Sequence, residues 1–381
     1  MTKTRCETGL DGHSRESVVA LSPERVERTK AAFSTRRVPP EACATLVSGA
    51  LRPRSGDLVI APVEALGQHK RLEHPNGRKV RLFVGDEVIV CYGSRYATDQ
   101  FEAVVPQDLG PCDLVAGGGI AAIAVSKHAS MRDATRLRPS GLVGDAAGRR
   151  INVGDWAIPH PLIDSLDDSR RPPTYAVVGA SMNAGKTTTA AKLIRGMARA
   201  GLLVGAAKVT GTGSGGDLWH MADAGAAEAI DFTDAGLAST FLASPARIES
   251  VLTTLVCHLA AKKMDAIVLE IADGILQSET AALVSSKRFA GTVDQVIFAA
   301  SDPVSAATGV DWLRRRELPI VAISGAITRS SLAMREATAA TGLPVLDGEA
   351  LALLGPHVPD SGVTRPPSPT IARISRQACA S

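Results

Sequence analysis

The sharpest chemistry in the sequence lies at residues 175–189, Tyr-Ala-Val-Val-Gly-Ala-Ser-Met-Asn-Ala-Gly-Lys-Thr-Thr-Thr. From Ala180 it fits the pattern [AG]-x-x-x-x-G-K-[ST], with an apolar strand before it and a helix after it, which is the setting a phosphate-binding loop requires. Small residues let the backbone wrap closely around phosphate oxygens, and the first amides of the following helix point at them. The expected phosphate contacts are Ser181, Asn183, Ala184, Gly185, Lys186, Thr187 and Thr188. Lys186 is expected to reach the β- and γ-phosphates, and the Thr187 hydroxyl to coordinate Mg²⁺.

Two further clusters follow. Ala207-Lys-Val-Thr-Gly-Thr-Gly-Ser-Gly-Gly-Asp217 places Lys208 at the end of a strand, on the carboxyl edge where open α/β sheets bind ligands. The small residues behind it allow a tight loop with free N–H groups, and Asp217 is positioned to hold a metal or a substrate group. Asp265-Ala-Ile-Val-Leu-Glu-Ile-Ala-Asp-Gly274 ends a buried strand in Glu270, the expected second metal anchor, directly or through water. Asp273, just beyond, is a candidate base or substrate-orienting carboxylate. Asp231 and Asp234 fall in a loop on the same side, suited to a cation or to a capping role. Other signals are weaker. His69 and His74 sit near a hairpin turn without completing a ligand set, and Gly117-Gly118-Gly119 reads as a bend.

These residues need elements to hold them. Residues 1–55 read as a helical extension, with a helix start at Ser22-Pro23 and a short helix over Glu41–Ser48. Residues 56–158 change to period two, with short runs such as Asp57–Val63, Glu87–Tyr92 and Phe101–Val105 and an Asn76-Gly77 turn, which predicts a small β-rich, barrel-like domain. The polar, Pro-rich stretch 159–173 is the expected linker. From 174 to 355 strands alternate with helices, predicting an α/β domain with a parallel sheet and ending in a strand at Pro344–Leu346. Residues 356–381, rich in Pro and Ser, are the expected tail.

Composition removes whole classes of function. The chain has 381 residues, 45% hydrophobic and 21% charged, an ordinary globular balance with room for two or three domains. A net charge of +3 with 3% aromatic residues argues against a nucleic-acid partner. No run of about 18 apolar residues is present, which argues against a membrane partner. Six cysteines without a C-x-x-C pair fit reduced thiols, and the first residues lack an apolar signal core, so a cytoplasmic location is expected.

Gly179-Ala-Ser-Met-Asn-Ala-Gly-Lys-Thr187, Ala207-Lys208-Val209 and Leu269-Glu270-Ile-Ala-Asp-Gly274 together resemble the motifs of dethiobiotin synthetase-like (SIMIBI-class) P-loop NTPases over residues 174–350. That resemblance implies a substrate-contacting Lys208 and a metal-binding Glu270, and places a homodimer within expectation. Ile271 and Asp273 replace small residues of the family's segment, so it leaves the substrate open. Thr210-Gly-Thr-Gly213 with Glu270 also resembles P-loop proteins that N-acylate D-amino acids, whose Rossmann-like first domain the β-rich half here does not match. The expectation is an ATP- and Mg²⁺-dependent kinase or carboxylate-activating ligase for a small anionic substrate, with Lys186, Lys208, Asp217 and Asp273 as the catalytic set. The alternatives are a nucleotide-switch chaperone for metal or cofactor insertion, and an acyl-CoA-dependent N-acyltransferase.

Overall fold

The computed structural model describes residues 16–160 and 171–354. Most of the expected linker and the whole expected tail lie outside the described residues.

In the first half, strand residues alternate between two apolar clusters, as period-two sequences must. Along Leu58–Ala65, Leu58 and Ile60 enter one cluster while Val59, Ala61 and Val63 enter the other. Five strands pair in a ring. Leu58–Ala65 pairs with Thr135–Leu137, then come Cys112–Ala116, Ile120–Lys127 and Glu87–Tyr92, and the last pairs back onto Leu58–Ala65. Such closure leaves the ring without an open edge. The Asn76-Gly77 turn joins a separate hairpin, Arg71–Glu73 with Lys79–Arg81.

The expected helical extension is corrected in part. Ser22-Pro23 does start a helix, Pro23–Arg28, with the Ser22 hydroxyl accepting from the Arg25 amide. Glu41–Ser48 is not a helix: a 3₁₀ turn at Pro40–Ala42 leads into strand Thr45–Ser48, which pairs with Ser17–Ala20 and Gly141–Gly144. The reason is alternation, since Leu46 and Val47 serve opposite clusters, and an extended strand points successive side chains to opposite faces. These residues extend the β-sheet.

The second half is a six-stranded parallel sheet. Its strands are β1 (Thr174–Gly179), β2 (Val204–Lys208), β3 (Glu228–Asp231), β4 (Ala266–Glu270), β5 (Gln295–Ala299) and β6 (Ile320–Ser324), in the order β3-β2-β4-β1-β5-β6. β1 and β4 are buried along their whole length, as expected when helices cover both faces. The helices used below are α1 (Lys186–Arg199) and α2 (Gly216–Asp223). β3 was not expected, and Pro344–Leu346 forms only a single bridge, Ile323 to Val345. With the phosphate-loop sequence between β1 and α1, this half has the architecture of a P-loop NTPase domain.

The halves meet along a tight seam. Gly118 of the β-rich half lies so close to Gly213 that an added Cβ would stand 2.1 Å from the Gly213 carbonyl oxygen. Glu73 accepts from the Gly215 amide at 3.0 Å and from Trp219 Nε1 at 2.9 Å. Arg36 bonds Asp231, Asp234 and Thr233, and its guanidinium stacks 4.0 Å over the Phe33 ring. Asp231 and Asp234 therefore do hold a cation, but it is this chain's own arginine.

Candidate functional site

The site grows from the carboxyl ends of β1, β2 and β4. Strand pairing sets Lys208 opposite Glu270, and Glu270 opposite Val177 of β1. Gly185 caps α1 with φ +96, and an added Cβ there would meet the Gly325 Cα at 2.9 Å, so only glycine lets the loop turn this tightly into the helix. Lys186 follows as the first helical residue, buried, its Nζ donating to the Ser181 carbonyl at 2.8 Å. The amides at the start of α1 have no carbonyl within the helix to bond, which makes this end a receptor for anionic oxygen. Ser181, Asn183 and Thr188 are exposed on the loop, and Ala184 packs beneath it.

Behind the loop sits a hydroxyl between two carboxylates. Thr187 Oγ1 lies 2.9 Å from Glu270 Oε1 and 3.1 Å from Asp217 Oδ1. One hydroxyl proton cannot serve both acceptors at once. Asp217 is further neutralised by an ion pair with Lys208. Burial works against both charges, but each outweighs it for the other: Lys208 is held above the usual lysine range and Asp217 below the usual aspartate range. At Glu270 the pull of Lys208, Lys186 and the Thr187 hydrogen bond does not outweigh burial. Burial first, then the Asp217 charge, push its pKa up to about 7. Its Oε2 is buried with no hydrogen-bond partner among the described residues.

These features fit Mg²⁺. Thr187, Glu270 and Asp217 supply hard oxygen donors, and the unpartnered Glu270 oxygen is suited to a cation. No group of three His, Cys, Asp or Glu side chains that could hold a metal is present among the described residues. Mg²⁺ bound there would neutralise charge on the β- and γ-phosphates.

In front of the loop a cleft of about 590 Å³ opens between the two halves. Met182, Lys208 and Asp273 wall one side, and His69, Arg95 and Tyr96 the other. Burial raises the Asp273 pKa, against the pull of Lys186, Lys208 and Arg95. The loop carrying Arg95 and Tyr96 also touches the phosphate loop, where Asn183 Nδ2 donates to Asp99 Oδ2 at 2.9 Å.

Comparison with known proteins adds little. No family model matches the chain, and no curated protein matches it. Among solved structures it is similar to the signal recognition particle 54 kDa protein of Aeropyrum pernix K1 in complex with GDP, at 17% identity and a TM-score of 0.34, over 49% of this chain and 43% of that one. The receptor FtsY of Elizabethkingia anophelis, also with GDP, gives 13% identity and 0.36 over 51% and 66%, and chloroplast FtsY of Physcomitrella patens 13% and 0.34 over 52% and 69%. The chain thus spans less than half the length of the first of these.

The structure brings Thr187, Lys208, Asp217 and Glu270 into one network, sets Lys186 within reach of its charges, and places Asp273 beside it at the cleft. One expectation is overturned. The glycine loop after β2 does not present free amides: Gly211 donates to Thr240 Oγ1 at 2.9 Å, Gly213 to the Ala238 carbonyl at 2.9 Å, and Gly215 to Glu73. Tertiary contacts consume them. Sequence reasoning missed Arg95 and underrated His69, which lines the cleft instead of a solvated turn. In Gly93-Ser-Arg-Tyr96 no spacing marks the arginine, and only the barrel brings it to the cleft.

Proposed function

We propose that this chain binds a nucleoside triphosphate, ATP, in the 180–188 loop and transfers its γ-phosphoryl group to a small molecule held in the cleft. The carrying observation is the placement of that cleft: it opens at the phosphate loop and is walled by both halves, as a transfer reaction between two small ligands requires. An acceptor oxygen forms a bond to the γ-phosphorus as the bond to the β–γ bridging oxygen breaks and ADP leaves. Lys186 and the loop amides stabilise charge on the transferring group, which is where most of the catalysis in phosphoryl transfer arises. Lys208 is held charged at the cleft wall to face an incoming anion. Asp273 is placed to orient the acceptor or take its proton. Asp217, tied to Lys208 and Thr187, positions those two groups.

The resemblance to dethiobiotin synthetase-like proteins supports the ligase form of this chemistry, in which the acceptor is a carboxylate. Lys186→Ala should lower nucleotide turnover in the presence of a metabolite extract by about 100- to 1000-fold, with the thermal melt preserved. Equal turnover by both proteins refutes the role. Phosphate release stimulated by small molecules separates this enzyme from a nucleotide switch, which would wait for a protein partner. Thermal stabilisation by acetyl-CoA but not ATP would favour acyl transfer.

A further inference from the structure

The cleft's outer wall carries a charge that the nucleotide chemistry does not use. Arg95 is only 8% exposed, yet lines the cleft. Among the described residues it has no carboxylate within ion-pairing distance. Its Nη2 donates to Gln100 Oε1 at 2.9 Å, and its Nε is buried without a partner. Nη1 lies 3.3 Å from His69 Nε2, but that nitrogen also lies 3.0 Å from the Val115 carbonyl, which can only accept. Nε2 therefore carries the hydrogen, and its lone pair is not there for Arg95. Two donor groups of a buried guanidinium remain unmatched. A buried charge is costly without a counter-charge, and a guanidinium presents its donors in a fork that suits a carboxylate.

The rim of the cleft has the same sign, and the acidic side chains lining it are Glu73 and Asp273. Lys70, Arg71 and Lys79 stand exposed at the cleft rim, Lys208 lies on the inner wall, and Glu73 is already engaged by Gly215 and Trp219. Burial holds the Arg95 pKa down to about 10, an effect that Asp99 and Asp273 only partly offset, so it stays a cation at neutral pH. The burial that drives His69 down to about 4, with the Arg95 charge adding to it, keeps the imidazole from becoming a competing cation.

We propose that Arg95 is the anchor for a carboxylate group of the acceptor, so that the β-rich half recognises the substrate while the P-loop half carries the transfer chemistry. The proposal rests on the cleft being the acceptor site. It makes Arg95 a specificity-determining residue: the acceptor binds by an anionic end at Arg95, leaving the rest of the molecule to reach toward Lys208 and Asp273.

The test is calorimetry on the full chain without nucleotide. The probes are a panel of amino acids, hydroxy acids and dicarboxylic acids, each beside its amide, together with simple phosphate monoesters. At least one acid should bind better than its amide, and R95Q should weaken that acid by about 10- to 100-fold. R95K keeps the charge but loses the fork, and should weaken it by about 3- to 10-fold, which carries the test if R95Q does not fold. The proposal is overturned if no acid is preferred to its amide, if phosphate monoesters alone bind, or if the variants bind like the wild type. Mg·ATP binding measured separately distinguishes the two readings: acids bound through Arg95 with no heat from ATP would remove the phosphoryl-transfer reading and leave the anchor standing.

Discussion

The two halves of this protein hold charge in opposite ways. In the P-loop half the functional charges are buried together and answer one another: Lys208 with Asp217, and Thr187 shared between Asp217 and Glu270. In the β-rich half Arg95 is buried with no carboxylate at ion-pairing distance among the described residues, and its Nε has no hydrogen-bond partner there. The first arrangement is largely complete within the chain. The second is incomplete without an external anion. A self-consistent network suits machinery that must be ready before ligand arrives, and an uncompensated charge suits recognition. Between them, the seam residues pair charge directly across the two halves: Arg36 meets Asp231 and Asp234, and Arg37 reaches Asp234 as well.

The contrast can be broken at three points. The largest effect is expected at the seam. Arg36→Ala would leave Asp231 and Asp234 buried with much of their counter-charge gone, and should cost about 3–5 kcal/mol in chemical denaturation. A loss below about 1 kcal/mol would mean that the halves are held mainly by packing. Next comes Glu270→Gln, which keeps the shape and removes the charge behind the loop. It should lower turnover by about 100-fold and raise the Mg²⁺ concentration needed for half-maximal rate, and chelation should abolish turnover in the wild type. Unchanged Mg²⁺ dependence would move the metal elsewhere.

The smallest effect concerns pH. The folded pKa of His69 is about 4, below the ordinary value of 6.5, because burial and then Arg95 disfavour its charge. The unfolded chain thus binds the extra proton between those values. This contribution is fully present above about pH 6.5 and is lost as pH falls toward 4. The ring is only half-buried, so the expected loss is about 1–2 kcal/mol. Denaturation at pH 7 and at pH 4.5 should show a steeper fall for the wild type than for His69→Gln. Parallel curves would show that the imidazole accepts its proton freely at the cleft.

How far the sequence reveals these two halves follows from the same difference. The phosphate loop is a run of backbone amides, so its parts must be adjacent in sequence, and Ala180 to Thr188 can be read directly. Lys208, Glu270 and Asp273 are legible because a parallel sheet aligns the carboxyl ends of its strands. Asp231 was misplaced because a four-residue strand gives too little pattern to separate it from a loop. Arg95 and His69 lie 26 residues apart on different segments of a ring of short strands. No local periodicity joins them, and only closure of the ring makes them neighbours. The Glu41–Ser48 error has the same origin, because strand pairing with distant residues overrides a local helix signal.

The contact at Gly118 bears on how molecules come and go. With backbone resting on backbone and no room for a methyl group, the walls of the cleft cannot pinch inward at that point. The gap is set by the van der Waals thickness of two main chains, more like a spacer between plates than a jaw. Entry and exit therefore pass through the open mouth past the exposed lysines, and any side chain added at 118 would act as a shim, moving the arginine away from the phosphate loop by its own width.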